Sequence, residues 1–440
     1  MIQQILFILI SLVGFYFAFK NFSKIRRNIL LGKEKEISGD TERRWKNVIL
    51  VAFGQKKMFK KFIPAILHFF IYAAFVITQI ELIEIFIDGF TGNHRIFASA
   101  LGGFYTFIIS FIEVLTFLAF FATIVFLWRR NMLKVPRLVM SEMNGWPKLD
   151  ANLILVGELI LIAGITMMNG ADTVLQGIDP EHYPSTGNLA VSSWLGPALF
   201  GGLGEGSLQF VERFGWWMHF LTVLAFLNYL PFSKHLHVML AFPNVYYADE
   251  NRGEMDNMPE IMNEVKSMMG LIEETAPMTE DLPEFGAKDI FDLSWKNIMD
   301  SYTCTECGRC TDACPANQTG KKLSPRKIMM DVRDRTEEIG KQLDNGVSRE
   351  DFSDDKSLFD FISEEELMAC TTCNACVEEC PVMIDPLDII MQLRRYKILT
   401  EAGGPSEWLP MFTSIENSGS VWQVPDERDA WKTELNKITE

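Results

Sequence analysis

The chain's eight cysteines all fall in two runs of identical spacing. Each run reads C-x₂-C-x₂-C-x₃-C-P, which is typical of [4Fe–4S] cluster ligation. The first run holds Cys304, Cys307, Cys310 and Cys314, and the second holds Cys370, Cys373, Cys376 and Cys380. Zinc is the weaker interpretation, because structural zinc sites use pairs of cysteines rather than quartets. A disulfide framework would spread its cysteines through the fold, so this clustering also indicates a reducing compartment.

The spacing further predicts which thiolates share a cluster. In two-cluster runs of this kind, the fourth cysteine of one run ligates the cluster of the other run. The first cluster is therefore expected on Cys304, Cys307, Cys310 and Cys380. The second is expected on Cys370, Cys373, Cys376 and Cys314.

Histidines in apolar surroundings form a second set of candidate ligands. On one continuous helix, His219 and His237 would share a face about 27 Å apart, whereas His235 would point about 160° away and is a weaker candidate. His68 and His237 are expected at similar depths near the inner face of the membrane, so we predict that they are the axial ligands of an inner haem b. Two imidazole ligands leave the haem iron no open coordination position. A single buried histidine also serves as a hydrogen-bonding group between helices, which is the alternative for each of them.

His219 would hold an outer haem whose second ligand is open. Gln79 occupies the corresponding position of the second apolar stretch, and His94 just beyond that stretch is a substitute. The outer haem is therefore six-coordinate through His94, five-coordinate or absent.

Apolar stretches that could position these histidines occur five times, at about residues 2–19, 62–88, 101–128, 151–169 and 215–242. Each approaches the roughly 20 residues that a membrane-spanning helix needs. The first stretch has no basic residues before it, so it is not expected to be a cleaved signal peptide. The sequence predicts an all-α protein: a five-helix transmembrane bundle over residues 1–243, followed by a helical iron–sulfur domain.

Charge gives the orientation. Residues 20–61 carry thirteen Lys and Arg and residues 129–150 carry five, whereas the other two long loops carry one each. The positive-inside rule then puts the N-terminus outside and the C-terminal half in the cytoplasm of a bacterial or archaeal cell. Residues 1–240 hold 21 basic and 16 acidic side chains, and residues 241–440 hold 20 and 41. The C-terminal half is therefore strongly acidic and has no excess of positive charge to neutralise phosphates, which argues against nucleic acid as a partner.

Two segments resemble known families. Residues 216–219 together with residues 230–237 resemble the last span of the cytochrome b (gamma) subunit of respiratory nitrate reductase, and the cytochrome b subunits of membrane heterodisulfide reductases are similar. The resemblance implies a five-span protein with two b haems, with His68 and His237 on the inner haem and His219 on the outer. That family's second span carries two histidines, and this sequence keeps only His68.

The C-terminal half resembles the α-helical ferredoxin domain of succinate dehydrogenases and heterodisulfide reductases. We assign residues 244–285 to an acidic connector, residues 286–400 to this domain, and residues 401–440 to a tail. In heterodisulfide-reductase-related oxidoreductases a similar tail leads into a cysteine-rich CCG domain. The resemblance implies that a separate CCG-type subunit, or another cytoplasmic oxidoreductase or flavoprotein, docks here. A tail that only packs on its own domain is the alternative.

Four carboxylates lie within the apolar stretches: Glu81, Glu84, Glu113 and Glu158. Ionisable groups at such positions are functional candidates, here for proton exchange at a quinone site. The structural alternative is that they pair with hydroxyl or amide groups, or lie at the membrane interface.

The sequence contains no G-x-G-x-x-G, P-loop or nucleophile-elbow motif. We therefore interpret the chain as an electron-transfer subunit of a quinone-linked oxidoreductase, in which the cofactors carry the chemistry. Electrons would pass between membrane quinone, such as menaquinone, haem b, the two clusters and a cytoplasmic partner, in either direction. The alternative is a membrane-tethered redox sensor or docking subunit that carries no net current.

Overall fold

The computed structural model describes residues 1–37, 39–249, 258–272, 285–422 and 429–439, and these residues form helices without β-strands. An isolated bridge joins Lys33 to Ser294. Parts of the predicted connector (residues 250–257 and 273–284) and of the predicted tail (residues 423–428 and 440) lie outside the described residues.

The helices of the N-terminal half are α1 (Ile2–Ile29), α2 (Thr41–Asn47), α3 (Phe62–Ile77), α4 (Gln79–Thr91), α5 (Ile96–Leu101), α6 (Gly103–Asn131), α7 (Trp146–Leu175), α8 (Ser192–Phe200), α9 (Glu205–Tyr229) and α10 (His237–Tyr246). A π-helix covers Val48–Phe53, and short 3₁₀ turns cover Met58–Lys60, Pro136–Leu138, Ser141–Met143, Leu230–Phe232 and Lys234–Leu236.

The helices of the C-terminal half are α11 (Pro259–Met268), α12 (Trp295–Thr303), α13 (Arg309–Ala313), α14 (Pro315–Gln318), α15 (Pro325–Asp344), α16 (Glu364–Met368), α17 (Ala375–Glu379), α18 (Pro386–Arg395), α19 (Trp408–Ser418) and α20 (Ala430–Thr439). Two 3₁₀ turns cover Ile290–Asp292 and Leu358–Asp360, and a π-helix covers Tyr396–Thr400.

Four helical segments of the described chain are long and apolar enough to cross a membrane, namely Ile2–Ile29, Phe62–Thr91, Gly103–Asn131 and Trp146–Leu175. They correspond to the first four predicted spans. The predicted fifth span, residues 215–242, is not among them. Its helix, α9, starts earlier and carries Glu205, Glu212 and Arg213 in its first turns.

The prediction of one continuous helix from His219 to His237 is wrong. The helix α9 ends at Tyr229, two 3₁₀ turns follow, and α10 begins at His237. Pro231 cannot donate a backbone hydrogen bond and its ring crowds the preceding turn. Ser233 is then extended (φ −128°, ψ 149°), which interrupts the helical path between the two 3₁₀ turns. We call residues 230–236 the hinge turn.

Close packing of α7 on α9 fixes the position of His219. A Cβ atom at Gly164 would lie 2.9 Å from the His219 backbone nitrogen, and one at Gly215 would lie 2.6 Å from the Met168 nitrogen. Small residues at such a crossing let two helix backbones approach closely.

The iron–sulfur half does not have a core separate from the membrane half. Ile25 and Ile29 at the end of α1 belong to the same buried cluster as Ile298 and Ile328 of the iron–sulfur domain. Ion pairs reinforce this contact, because Asp344 at the end of α15 binds both Lys24 and Arg27 of α1 at 2.5 Å. The acidic half thus packs on the basic end of the bundle.

Candidate iron–sulfur and haem sites

The two cysteine runs adopt the same backbone conformation. Glu306 and Thr372, each just before the second cysteine of its run, both have φ of +53°. Gly308 and Asn374, just after that cysteine, have φ of +72° and +62°. A five-residue helix, α13 or α17, follows in each run. Left-handed residues at matching positions turn each loop, and cysteines of the same run lie within electrostatic range of one another.

Most of the electrostatic contacts between thiols fall within the two predicted sets, although Cys310 also lies in range of Cys376 of the other set. Cys380 lies within electrostatic range of Cys304, Cys307 and Cys310, although it belongs to the other run. The Cys314 thiol is in range of Cys370 and Cys376 in the same way.

Burial raises the pKa of Cys304 to about 12 and that of Cys380 to about 11. These thiols are therefore neutral without iron, and cluster assembly must release their protons. Within the described ranges no three His, Cys, Asp or Glu side chains converge on one metal-ion position. A cubane needs no such convergence, because its four thiolates bind four different irons.

The first cysteine run lies directly against the hinge turn. The Lys234 side chain donates a hydrogen bond to Glu306, which stands between Cys304 and Cys307, and Arg333 donates to the other Glu306 oxygen at 2.8 Å. Burial alone would raise the pKa of Glu306, but these two cations outweigh it and lower the pKa. The backbone carbonyl of Lys234 accepts a hydrogen bond from His237 Nδ1 at 2.9 Å. One residue therefore contacts both a cluster loop and a candidate haem ligand.

Arg309, between Cys307 and Cys310, makes a second connection. Its guanidinium donates to the carbonyls of Lys57 and Met58 at 3.3 and 3.2 Å, in the loop that precedes α3. It also lies within electrostatic range of His68.

The structure brings His68 and His237 together, with ring centroids 6.4 Å apart. Two imidazoles bound to opposite sides of one metal through bonds of about 2.0 Å have centroids roughly 6 Å apart. His68 Nδ1 donates to Gln55 Oε1 at 3.1 Å, and His237 Nδ1 is held by Lys234. Since both Nδ1 atoms are donors, both Nε2 atoms keep a lone pair for a metal. This donor set fits a bis-imidazole haem.

His235 lies close to this pair, with its ring centroid 5.9 Å from that of His237. The prediction that His235 faces away is wrong, because it assumed a continuous helix through the hinge turn. Its Nδ1 atom is buried without a hydrogen-bond partner among the described residues.

His219 faces a separate cavity of about 340 Å³, the central cavity, whose walls also include Gln79, Glu81, Glu158 and His235. His219 Nδ1 donates to the Leu161 carbonyl at 3.1 Å, so its Nε2 is also available. His94 is elsewhere. Its Nε2 binds Asp172 at 2.8 Å, and it lines an outer cleft between α4 and α9 instead of the central cavity.

Two of the four membrane carboxylates have structural partners on both oxygens. Glu113 accepts hydrogen bonds from the Val191 and Ser192 amides and from the Ser192 hydroxyl, which anchors the start of α8. Glu84 accepts from the Phe97 amide at 3.0 Å and from the Tyr105 hydroxyl at 2.7 Å. Glu81 and Glu158 both line the central cavity.

Sequence reasoning missed Lys234, Glu306, Arg309 and Gln55 as neighbours of the candidate cofactors. Glu306 and Arg309 stand inside the first cysteine run, and that position was a signal. No sequence signal pointed to Lys234 or Gln55, because the role of Lys234 depends on the hinge turn and that of Gln55 on the loop before α3.

Comparison with known proteins agrees with the cysteine pattern. Residues 303–384 match the 4Fe-4S dicluster domain family. The chain is 30% identical over 435 residues to the probable iron–sulfur-binding oxidoreductase FadF of Bacillus subtilis. This match covers 92% of this chain and 57% of the relative. It is 24% identical over 400 residues to EtfAB:quinone oxidoreductase of Syntrophomonas wolfei, covering 85% of this chain and 51% of the relative.

A probable membrane-anchored ferredoxin of Chromohalobacter salexigens is 29% identical over 173 residues, covering 34% of this chain and 24% of that protein. The chain thus spans little more than half the length of the two curated relatives that match most of it. No solved structure matches significantly. The chain is therefore an iron–sulfur protein with a 4Fe-4S dicluster domain, related to iron–sulfur oxidoreductases, to one of the subunits of heterodisulfide reductase and to membrane-anchored ferredoxins.

Proposed function

We propose that this chain passes electrons between the menaquinone (or another quinone) pool and a cytoplasmic oxidoreductase, through haem b and two [4Fe–4S] clusters. The observation that carries the proposal is the double contact of Lys234. Its carbonyl holds His237 and its ammonium group holds Glu306 of the first cluster loop. A haem on His237 and a cluster on Cys304 and Cys307 would then be neighbours, as electron transfer requires.

His68 and His237 would hold the inner haem through Nε2, and His219 would hold an outer haem in the central cavity. A bound b haem supplies one-electron transfer, and two imidazoles keep small molecules off its iron. The protein contributes orientation. Gln55, Lys234 and the Leu161 carbonyl fix the three imidazole planes through their Nδ1 atoms.

The proposed arrangement in the membrane follows the charge distribution. Residues 1–243 form the membrane domain with α9 as its fifth helix, and residues 286–400 form the ferredoxin domain on the cytoplasmic side. The basic residues of loop 20–61 support this orientation, because Lys60 and Lys61 pair with Glu378 and Asp312 beside the cluster loops. The N-terminus is then outside.

The soluble partner is proposed from the relatives. A relative named EtfAB:quinone oxidoreductase favours an electron-transfer flavoprotein as the source of electrons, passed on through a CCG-type domain or subunit docked near residues 401–440. The exposed Trp408–Ser418 helix offers apolar side chains for such a contact, among them Leu409 and Phe412.

Purified full-length protein tests the proposal. We expect about eight irons per chain, together with dithionite-reduced b-type absorption bands that reoxidise on addition of a menaquinone analogue. His237→Ala should remove the inner haem and leave the iron–sulfur content unchanged. His182→Ala is the matched control, since His182 is exposed and binds only Asp179 among the described residues. A protein with clusters but no haem, or a haem that quinone never oxidises, would overturn the conduction proposal and favour a redox sensor.

A further inference from the structure

We infer that a quinone headgroup binds in a second membrane cavity, beside the central cavity, and exchanges its protons with Glu81. This inference rests on the proposed function and assigns its quinone site. The cavity, about 430 Å³, lies between α6, α7 and α8 and is called here the quinone cavity. Its volume falls within the range of about 300–1,000 Å³ that is usual for small-molecule sites.

The walls of the quinone cavity suit a flat, largely apolar ring that arrives from the lipid. Phe117, Phe120 and Phe200 supply aromatic surface. Phe117 is 39% exposed and Leu199 is 57% exposed, so the mouth of the cavity opens toward the bilayer. Polar groups lie at its inner end, where Glu81 and Asn169 line the wall. An acyl chain would use the apolar walls but not this polar end.

Glu81 is only 2% exposed, and its two oxygens differ. Oε1 accepts a hydrogen bond from Asn169 Nδ2 at 3.1 Å and lies 3.5 Å from Arg95 Nη1. Oε2 is buried and has no partner among the described residues. A buried carboxylate oxygen without a partner is costly, so a hydrogen-bonding ligand there would relieve it. The charged or titratable groups in range of Glu81 are Arg95, Glu84, Glu113 and Tyr105.

Glu81 also joins the quinone cavity to the central cavity. Both cavities are lined by Glu81, Thr116, Ile162 and Ile165, so one layer of side chains separates a quinone from a haem held by His219. Electron and proton exchange can therefore occur at the same place.

A polar route leads from Glu81 to the outer cleft. Arg95 Nη2 donates to Asn169 Oδ1 at 2.5 Å and lies 3.3 Å from Asp172 Oδ2. The same Asp172 binds His94, which lines the outer cleft and has 21% of its side chain exposed. Arg95 keeps its own proton and positions the carboxylates on either side of it. The cleft lies at the end of the bundle remote from the iron–sulfur domain, since the start of α1 also lines it.

Reduction of one quinone to quinol adds two electrons and two protons and breaks no carbon bond. The haem and clusters of the proposed function would supply the electrons one at a time. The Glu81 carboxyl would donate a proton to a quinone carbonyl, take up another from water entering past Arg95 from the outer cleft, and donate again. Quinol oxidation runs the same steps in reverse.

A photoreactive menaquinone analogue tests the site on the full-length protein in lipid nanodiscs. We expect it to label α6 near Phe117 and α8 near Leu199, and unlabelled menaquinone to compete. Thr166→Phe fills the quinone cavity without changing an ionisable group and should abolish this labelling. Glu205→Gln, an exposed change at the start of α9, is the matched control.

Two substitutions separate a proton role from a structural one. Glu81→Leu should weaken quinone binding about tenfold, as expected for a lost hydrogen bond to an ionisable group. Glu81→Gln retains an N–H donor, so it should keep the binding but make it independent of pH. Wild-type binding should decrease as pH rises, because only the protonated carboxyl donates to a quinone carbonyl.

The outcomes distinguish this inference from the proposed function. Labelling of other helices, with haem still oxidised by quinone, overturns the quinone cavity and leaves the proposed function standing. Labelling that menaquinone does not displace means that the cavity holds acyl chains. Absence of quinone binding anywhere overturns both.

Discussion

Replacing Lys234 by methionine tests the contact between the two halves of the chain. Lys234 and Glu306 have side chains 8% and 2% exposed, so their ion pair is shielded from water. Breaking a buried pair by removing one partner costs about 3–5 kcal/mol. Arg333 still holds the other Glu306 oxygen at 2.8 Å. We therefore expect a loss near the lower end, about 3 kcal/mol.

The assay is denaturant-induced loss of iron–sulfur absorbance in detergent solution. Lys397→Met is the matched control. Its pair with Glu401 is partly exposed, and such pairs contribute less than about 1 kcal/mol. Haem absorbance should stay unchanged in Lys234→Met without denaturant, because His237 binds the backbone carbonyl of residue 234 and not its side chain. Equal, small effects of the two substitutions would refute the view that this ion pair holds the first cluster loop on the membrane domain.

Three further predictions follow from single contacts. Gly308→Ala should destabilise the first cluster by about 1–2 kcal/mol, seen as earlier loss of its absorbance, because φ is +72° and the new Cβ would lie 2.5 Å from Arg326. Burial alone would raise the pKa of Asp344, but its bonds from two cations outweigh this and lower the pKa. Asp344→Asn should therefore reduce the free energy of unfolding by up to about 1 kcal/mol above pH ~4. The difference in unfolding midpoint between this variant and the wild type should vanish as pH falls through the folded-state pKa of Asp344. Gly164→Val should separate α7 from α9 and remove only a haem held by His219, measured as haem per protein, while a haem on His237 remains.

The sequence was informative where spacing alone determines geometry. Two cysteine runs of equal spacing predict equal wrapping, and the matched positive φ values at Glu306 and Thr372 agree with this. Serine directly before proline is typical of a helix start, and α15 begins at Ser324 and Pro325 with the Ser324 side chain accepting from the Lys327 amide. Local rules suffice here, because the controlling contacts lie within a few residues.

The sequence was less informative where distant segments decide. Glu113 lies in an apolar stretch, where a proton-carrying carboxylate would also be expected. It instead anchors the start of α8, which is nearly eighty residues further along the chain. His94 looked available to a haem, but its partner Asp172 lies on another helix. Such polar pairings inside a membrane bundle depend on helix rotation and depth, which hydropathy does not specify.

The hinge turn shows why one misjudged element changed the interpretation of the site. A continuous helix would place Lys234 and His237 on one turn, with the Lys234 carbonyl committed to the helix. Pro231 ends α9, and in the 3₁₀ turn that follows the Lys234 carbonyl accepts from both the backbone amide and Nδ1 of His237, while the Lys234 side chain reaches Glu306. The same break moves His235 beside His237. An irregular backbone at membrane depth persists only where it is buried in protein or lines a cavity. Here the iron–sulfur half provides that burial, through Leu236 in the shared core and through the ion pair of Lys234 with Glu306, so it also stabilises the turn that carries His237.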